Sequence, residues 1–163
     1  MGLDVKDFRQ YVVEPTLRHL SPEIPFSLGA ERLLMGTAIH ESGLAWLDQT
    51  APGPGPALGL FQIEPATHFD LWSRYLEFRP TLAHKVRSLR APFPSPLEQL
   101  RTNLIYACAI ARVIFYRAPE RMPDARDVDG LAALAKLRFN SMLGKATVED
   151  YRRALIRVEA LYA

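Results

Sequence analysis

An apolar repeat between residues 97 and 116 is the feature that most constrains how this chain folds. Apolar side chains recur there at intervals of three and four residues, from Leu97 through Leu104 to Phe115. This spacing places them on one face of an α-helix, and a face this apolar has to be covered by other elements. We therefore predict one helix over residues 97–116, buried at the centre of a mainly α-helical domain.

Periodicity and capping residues predict further helices around this central one. Asp4 and Ser27 are suitable N-caps, Gly43 is a suitable stop, and Thr147 with Asp150 forms a capping pair. Residues 59–63 are expected to form a short strand or turn, so the fold contains at most a small β-hairpin. The predicted helices run from Asp4 to the disturbance at Pro15, from Ser27 to about Ser42, from Pro65 through Trp72 and Tyr75, over part of 81–90, from about 127 to 139, and from 148 to 161.

Length and charge restrict the classes of function. A chain of 163 residues fits one domain, here residues 1–163. Its 20 basic and 18 acidic side chains leave an excess of +2, which is too small for the broad positive field of a nucleic-acid-binding protein. The longest apolar stretch is interrupted by Arg112 and is shorter than a membrane span. We therefore expect a protein that neither binds nucleic acid nor inserts into a membrane. We also expect it to be a monomer.

Two short stretches place a carboxylate or an amide at the boundaries between predicted elements. One contains Glu41 in the last turn of a predicted helix, and the other contains Gln62 in the predicted turn. Glu41 lies at the edge of an apolar stripe, where partial burial and the negative end of the helix dipole both raise the pKa of a carboxyl group. A carboxyl that keeps its proton near neutral pH can act as a general acid in glycoside cleavage. On position alone, a water-facing glutamate at a helix end is the commoner case.

The two stretches resemble motifs of the lysozyme-like superfamily, in particular the soluble lytic transglycosylases and goose-type lysozymes. The resemblance includes Glu41-Ser42 and the segment from Gly59 to Thr67, with Gly-Leu-Phe-Gln-Ile followed by Pro and Thr. The turn at residues 55–60 is similar to that of transglycosylase-like domains from tailed bacteriophages and prophages. Weaker likenesses lie at residues 103–106 and at Phe139-Asn140 with Gly144, so the resemblance spans roughly residues 30–150.

This resemblance implies a peptidoglycan-cleaving enzyme that needs no cofactor. Glu41 would protonate the glycosidic oxygen between N-acetylmuramic acid and N-acetylglucosamine, and would then act as a base toward the muramic acid 6-hydroxyl. The same resemblance makes Ser42, Gln62 and Asn140 substrate-binding residues. For Gln62, a structural amide that ties its loop to the backbone is nearly as good an interpretation. Trp46, in the irregular region after Glu41, is the best candidate for an exposed sugar platform.

The sequence departs from the family pattern at one position. The family has a tyrosine beside the late asparagine, and this chain has Phe139 there. The hydroxyl that would orient the acid is therefore missing from its usual place. A tyrosine from elsewhere, such as Tyr106, could supply it.

A hydrolytic lysozyme would need a second carboxylate to activate water. Asp48 and Glu64 are the candidates, and the spacing from Glu41 to Asp48 loosely resembles that of phage lysozymes. Asp48 is, however, better interpreted as a turn residue, and Glu64 as a residue that favours the start of the next helix.

Other chemistries fit the sequence less well. His40-Glu41 begins like a zinc-protease helix, but Leu44 stands where the second histidine should be, so no metal site is expected. Cys108 is the only cysteine and lies in an apolar helix, where it is a poor nucleophile. No Gly-x-Ser-x-Gly motif is present.

The expected activity is that of a lytic transglycosylase acting on peptidoglycan glycan strands. Two alternatives stay open: a hydrolytic muramidase, and a non-catalytic wall-binding or phage structural domain. The first residues lack the basic start and apolar run of a secretory signal. We therefore expect a virion-associated protein, or one that reaches the bacterial periplasm or cell wall by a route other than the general secretory pathway.

Overall fold

A computed structural model of the chain describes residues 2–49, 55–139 and 145–162. The mainly α-helical fold is confirmed for these residues, and none of their helices is long and apolar enough to span a membrane. The α-helices are α1 (Val5–Phe8), α2 (Glu14–Leu20), α3 (Leu28–Ser42), α4 (Pro65–Arg74), α5 (Pro80–Arg87), α6 (Gln99–Thr102), α7 (Leu104–Tyr116), α8 (Val128–Arg138) and α9 (Val148–Ile156). A π-helical turn (Arg9–Val13) and two 3-10 turns (Leu76–Phe78 and Glu159–Tyr162) complete the helical structure of this part of the chain.

The core is built around two buried helices, α3 and α7. Every residue from Gly29 to Ile39 in α3 is buried, and so is every residue from Tyr106 to Phe115 in α7. Helix α3 packs against α7, α8 and α9, so that it is enclosed on several sides. The prediction of a single central helix is therefore incomplete, because α3 is as deeply buried as the helix that the apolar repeat identified.

The prediction of one continuous helix over residues 97–116 is wrong. The chain leaves helical geometry at Asn103, where φ is −121° and ψ is 94°, and this residue separates α6 from α7. The Asn103 side-chain oxygen accepts a hydrogen bond from the Tyr106 backbone N–H at 3.0 Å, and its amide donates to the Leu89 carbonyl at 2.9 Å. Asparagine competes with the backbone in this way and therefore favours a cap over a helix interior.

The N-terminal helix begins as predicted but does not end at Pro15. The Asp4 carboxylate accepts from the backbone N–H groups of Lys6 and Asp7 at 2.9 and 3.1 Å, which confirms it as N-cap. A π-helical turn over Arg9–Val13 then shifts the hydrogen-bonding register, and Pro15 falls in the first turn of α2. Proline is tolerated in a first turn because its missing N–H leaves no helical hydrogen bond unmade.

A very small antiparallel β element lies between α3 and α4. Leu58 and Ile63 exchange two backbone hydrogen bonds of 3.0 and 3.1 Å, and Leu58 also bridges to Asp48. Within this turn both Gly59 and Gln62 have positive φ, of 77° and 50°. The predicted short strand or turn is confirmed, and it carries Gln62 at its exit.

The other predicted helices are present with slightly shorter bounds. Pro65 begins α4 as expected, and α8 begins at Val128 with Asp127 as its N-cap. The capping box between Thr147 and Asp150 at the start of α9 is confirmed. Helix α9 ends at Ile156, and a separate 3-10 turn covers Glu159–Tyr162.

Gly59 should be among the least replaceable glycines of the chain. A Cβ atom at this position would lie 1.8 Å from the Leu100 carbonyl oxygen of α6, and its φ of 77° is unfavourable for other residues. We expect Gly59→Ala to lower the free energy of unfolding by roughly 3 kcal/mol or more, since it combines steric overlap with backbone strain.

Gly43→Ala is the matched control, because Gly43 also has positive φ but a Cβ there would meet nothing within 4 Å. Its cost should be backbone strain only, about 1 kcal/mol. Urea denaturation of both variants measures the difference. Equal losses would show that the close approach to α6 is unimportant for stability.

Candidate active site

Glu41 lies in the last turn of α3, at the point where this buried helix reaches the surface. The helix ends at Gly43, which adopts left-handed geometry and donates its N–H to the Ile39 carbonyl at 2.8 Å. Glu41 itself is partly buried, between the enclosed body of α3 and the exposed loop that follows. The carboxyl is therefore partly removed from water.

The hydroxyl of Tyr151 donates a hydrogen bond to Glu41 Oε1, with a distance of 2.7 Å between the oxygens. Tyr151 lies in the first turns of α9 and its side chain is completely buried. Burial and the neighbouring carboxylate both raise the pKa of the Tyr151 hydroxyl, so this group keeps its proton and acts as a donor. Tyr151 therefore fixes the orientation of the Glu41 carboxyl.

Close packing between α3 and α9 makes this contact possible. A Cβ atom at Gly36 would lie 2.5 Å from Leu155 Cδ2, so glycine lets α9 approach α3 one turn and a half before Glu41. The buried Arg32 guanidinium donates to the Leu155 carbonyl at 3.3 Å and to the Ala125 carbonyl at 2.7 Å. The two helices are thus joined both by a small residue and by a buried polar contact.

Burial decides the pKa of Glu41. Removal from water raises it from an ordinary 4.5 to about 7, while the hydrogen bond from Tyr151 acts in the opposite direction and is the smaller effect. The carboxyl therefore holds its proton up to neutral pH. This agrees with the chemical requirement for a general acid.

His40 supports the other side of Tyr151. The centres of the two rings are 4.1 Å apart, with a tilt of 42° between their planes. Burial lowers the pKa of His40, Asp150 partly offsets this shift, and Arg153 adds to it. The imidazole is therefore uncharged at neutral pH and does not stabilise a negative charge on Glu41.

Two of the predicted substrate-binding residues form internal hydrogen bonds. Ser42 is only 2% exposed, and its hydroxyl donates to the Ala38 carbonyl at 3.0 Å and accepts from the Leu44 N–H at 3.2 Å. Gln62 is partly exposed, and its amide nitrogen donates to the Gly59 carbonyl at 2.9 Å. Ser42 thus shapes the end of α3, and Gln62 ties its own turn together, as its structural interpretation predicts.

The structure describes only one of the two remaining predicted binding residues. Trp46 is 56% exposed, in the loop after α3. Asn140 and the nearby Gly144 lie outside the described residues. The ring of Phe139 stacks on Phe115, with 5.4 Å between ring centres, and so packs against the core.

Neither candidate for a second carboxylate is hydrogen-bonded to Glu41 or Tyr151. Asp48 is exposed and accepts a hydrogen bond from Arg101 Nε at 2.7 Å, and Arg101 also binds Glu98. Glu64 occupies the N-cap position of α4 without a side-chain cap bond. Asp48 is therefore held in a surface ion pair, consistent with its interpretation as a turn residue.

Tyr106 is not the tyrosine that orients Glu41. Its hydroxyl accepts from Trp72 Nε1 at 3.0 Å and lies 2.7 Å from His68 Nε2, within the core beside α4. The tyrosine hydroxyl that contacts Glu41 is that of Tyr151. The sequence suggested α9 as a helix, but the pairing of Tyr151 with Glu41 joins residues 110 positions apart and has no local signal.

Comparison with known proteins gives no further guide. No family model, curated protein or solved structure matches this chain. Within the described part of the chain, no three His, Cys, Asp or Glu side chains are grouped so that they could hold a metal ion. The site is therefore defined by the geometry and electrostatics of Glu41, Tyr151 and His40.

The raised pKa of Glu41 should make stability depend on pH. Below about pH 4.5 the carboxyl is protonated in both the folded and the unfolded chain, so it has no effect. Between pH 4.5 and about 7 only the unfolded chain loses the proton, so the free energy of unfolding falls as pH rises. The total loss is up to about 3 kcal/mol.

Glu41→Gln removes this titration while keeping an acceptor for Tyr151. Its stability relative to the wild type should therefore increase from pH 4 to pH 8, by up to about 3 kcal/mol. Denaturation at both pH values measures the change, with Glu77→Gln as a control on an exposed carboxylate. A stability difference that does not vary with pH would contradict the burial of Glu41.

Proposed function

We propose that this protein cleaves the β-1,4 bond between N-acetylmuramic acid and N-acetylglucosamine in peptidoglycan, as a lytic transglycosylase. The observation that carries the proposal is Glu41, a carboxyl with a pKa of about 7 that is oriented by a buried tyrosine at the end of a core helix. The resemblance of residues 41–42 and 59–67 to lysozyme-like motifs supports peptidoglycan as the substrate.

Cleavage begins with proton transfer from Glu41 to the glycosidic oxygen. The bond from this oxygen to C1 of muramic acid breaks, and the N-acetylglucosamine leaves with a free 4-hydroxyl. Tyr151 then donates its hydrogen bond to the carboxylate that has formed, where it is stronger than to the neutral acid. The hydrogen bond thus stabilises the charge that appears during the reaction.

The second step uses the same carboxylate as a base. Glu41 removes the proton from the muramic acid 6-hydroxyl as that oxygen attacks C1, which gives a 1,6-anhydro end and restores the acid. This two-step reaction needs no second carboxylate. Asp48 is held at the surface by Arg101, and this arrangement favours transglycosylation over hydrolysis by an activated water.

Substitution of Glu41 tests the assignment of the acid. We expect Glu41→Gln to reduce the digestion of purified peptidoglycan by at least about a thousandfold, because the amide can neither give nor take the proton. Mass spectrometry of the products from the wild-type protein should show anhydro ends.

Three outcomes of this experiment have distinct meanings. Reducing ends would replace the transglycosylase proposal with a muramidase. Near-native turnover by Glu41→Gln would exclude Glu41 as the acid. Binding of peptidoglycan by the wild type with no released product would favour a non-catalytic wall-binding domain.

The pH profile tests the electrostatics of the site. Since the reaction starts from protonated Glu41, kcat/KM should fall above about pH 7. Tyr151→Phe removes the hydrogen bond that favours the carboxylate, so the alkaline limb should move to higher pH while the maximal rate falls.

Tyr11→Phe is a control for the loss of a hydroxyl, because Tyr11 is 63% exposed and lies on another helical segment. Its profile should match that of the wild type. An unchanged alkaline limb in Tyr151→Phe would contradict the proposed role of Tyr151.

A further inference from the structure

Positive charge is concentrated in one segment of the chain. Residues 72–97 contain five basic side chains and one acidic side chain, whereas the whole chain has an excess of only +2. The rest of the chain therefore has more acidic than basic groups. This segment contains α5 and the turns on either side of it.

Three arginines of this segment lie on aromatic rings and form no salt bridge with a described residue. The Arg79 guanidinium is 3.9 Å from the ring centre of Tyr75, and those of Arg90 and Arg87 are 4.3 and 5.2 Å from that of Trp72. By contrast, Lys85 is paired with Glu23. The three guanidinium groups therefore hold positive charge that no carboxylate of the described chain neutralises.

Arg87 and Arg79 each line one of two grooves that share Pro80 of α5, and Arg90 lies on the Trp72 ring beside the first groove. The first, of about 410 Å³, is lined by Trp72, Leu76, Ala83 and Arg87 among others. The second, of about 520 Å³, is lined by Tyr75, Arg79 and Tyr116 among others. We call this region the α5 surface and define it by six residues: Phe69, Trp72, Tyr75, Arg79, Arg87 and Arg90.

The chemistry of the α5 surface restricts the kinds of ligand that would fit it. Its cations fit carboxylates, and the apolar walls of the first groove fit small aliphatic groups such as alanine methyls. The Phe69 side chain is 72% exposed beside this groove, and Glu77 in its lining could pair with an amine. A short acidic peptide with alanine residues and one free amine has all of these groups.

We propose that the α5 surface binds the acidic stem peptides that branch from the muramic acid residues of peptidoglycan. This inference rests on the proposed function, because it assigns a place to the peptide part of the same substrate. Nucleic acid fits less well, since the guanidinium groups lie on the Tyr75 and Trp72 rings on which bases would have to stack. A phosphodiester polymer without apolar groups also fits less well, because it would make no apolar contact with the walls of the first groove.

Trp72 gives a direct readout of binding. The chain has two tryptophans, so Trp46→Phe leaves Trp72 as the only one, in the lining of the first groove. Titration of this variant with an uncross-linked stem tetrapeptide released from peptidoglycan should change the fluorescence of Trp72 in a saturable manner. The same titration with polyphosphate and with a short single-stranded oligonucleotide tests the other polyanions.

Two pairs of substitutions in the Trp46→Phe protein test the arginines. Arg87→Gln with Arg90→Gln should weaken peptide binding by roughly tenfold or more, since two charge-assisted contacts are lost. Arg121→Gln with Arg126→Gln removes the same charge from exposed positions outside the α5 surface and should leave binding unchanged. Thermal unfolding shows whether each variant is folded, and Arg79→Gln replaces the first pair if it is not.

The outcomes separate this inference from the proposed function. No saturable response to the peptide, or equal weakening by both pairs, would overturn peptide binding at this surface. Tighter binding of polyphosphate or oligonucleotide, with the same dependence on Arg87 and Arg90, would assign the surface to another polyanion. The activity is tested separately by digestion of intact peptidoglycan. The absence of any released product there would contradict the proposed function, whereas the Trp72 titration would still stand.

Discussion

The contact between the end of α3 and the start of α9 determines the chemical environment of Glu41. Gly36 allows the two helices to lie close together, and the carbonyl of Leu155 binds the buried Arg32. Tyr151 is thereby brought within 2.7 Å of Glu41 although the two residues are far apart in sequence. Without this packing Glu41 would be an ordinary glutamate at the end of a helix.

Two opposing effects act on the pKa of Glu41, and their relative size determines whether its carboxyl is protonated. Burial favours the neutral acid, and the hydrogen bond from Tyr151 favours the carboxylate. Because burial is the larger effect, the resting carboxyl is protonated near neutral pH. Because the hydrogen bond is also present, the carboxylate that forms after proton transfer has a partner already in place, with no rearrangement needed.

The sequence predicted most of the helical structure because local signals specify it. The caps are Asp4, Ser27 and the Thr147–Asp150 pair. Their side chains bind nearby backbone groups, so their roles do not depend on tertiary contacts. The predictions failed where a polar residue or a proline acted differently from the surrounding pattern. Asn103 separates two helices inside an apolar repeat, and Pro15 lies in the first turn of α2 instead of ending the N-terminal helix.

The candidate site was only partly predictable for the same reason. Glu41 could be identified because its motif and its place at a helix end are both local. Tyr151 and His40 could not, because their roles arise from the packing of α9 on α3, and a tyrosine in an amphipathic helix is ordinarily a core residue. The α5 surface was not predicted, because only the net charge of the whole chain was considered. That charge is small although basic residues are concentrated in one segment.

The pKa of Glu41 is the quantity on which both the geometry and the proposed chemistry depend. It can be measured directly by a ¹³C NMR titration of the glutamate side-chain carboxyls, with Glu41→Gln used to assign the resonance. We expect a midpoint at about pH 7. A midpoint close to 4.5, the ordinary value for glutamate, would contradict it, because a carboxyl that ionises there could not serve as the acid at neutral pH.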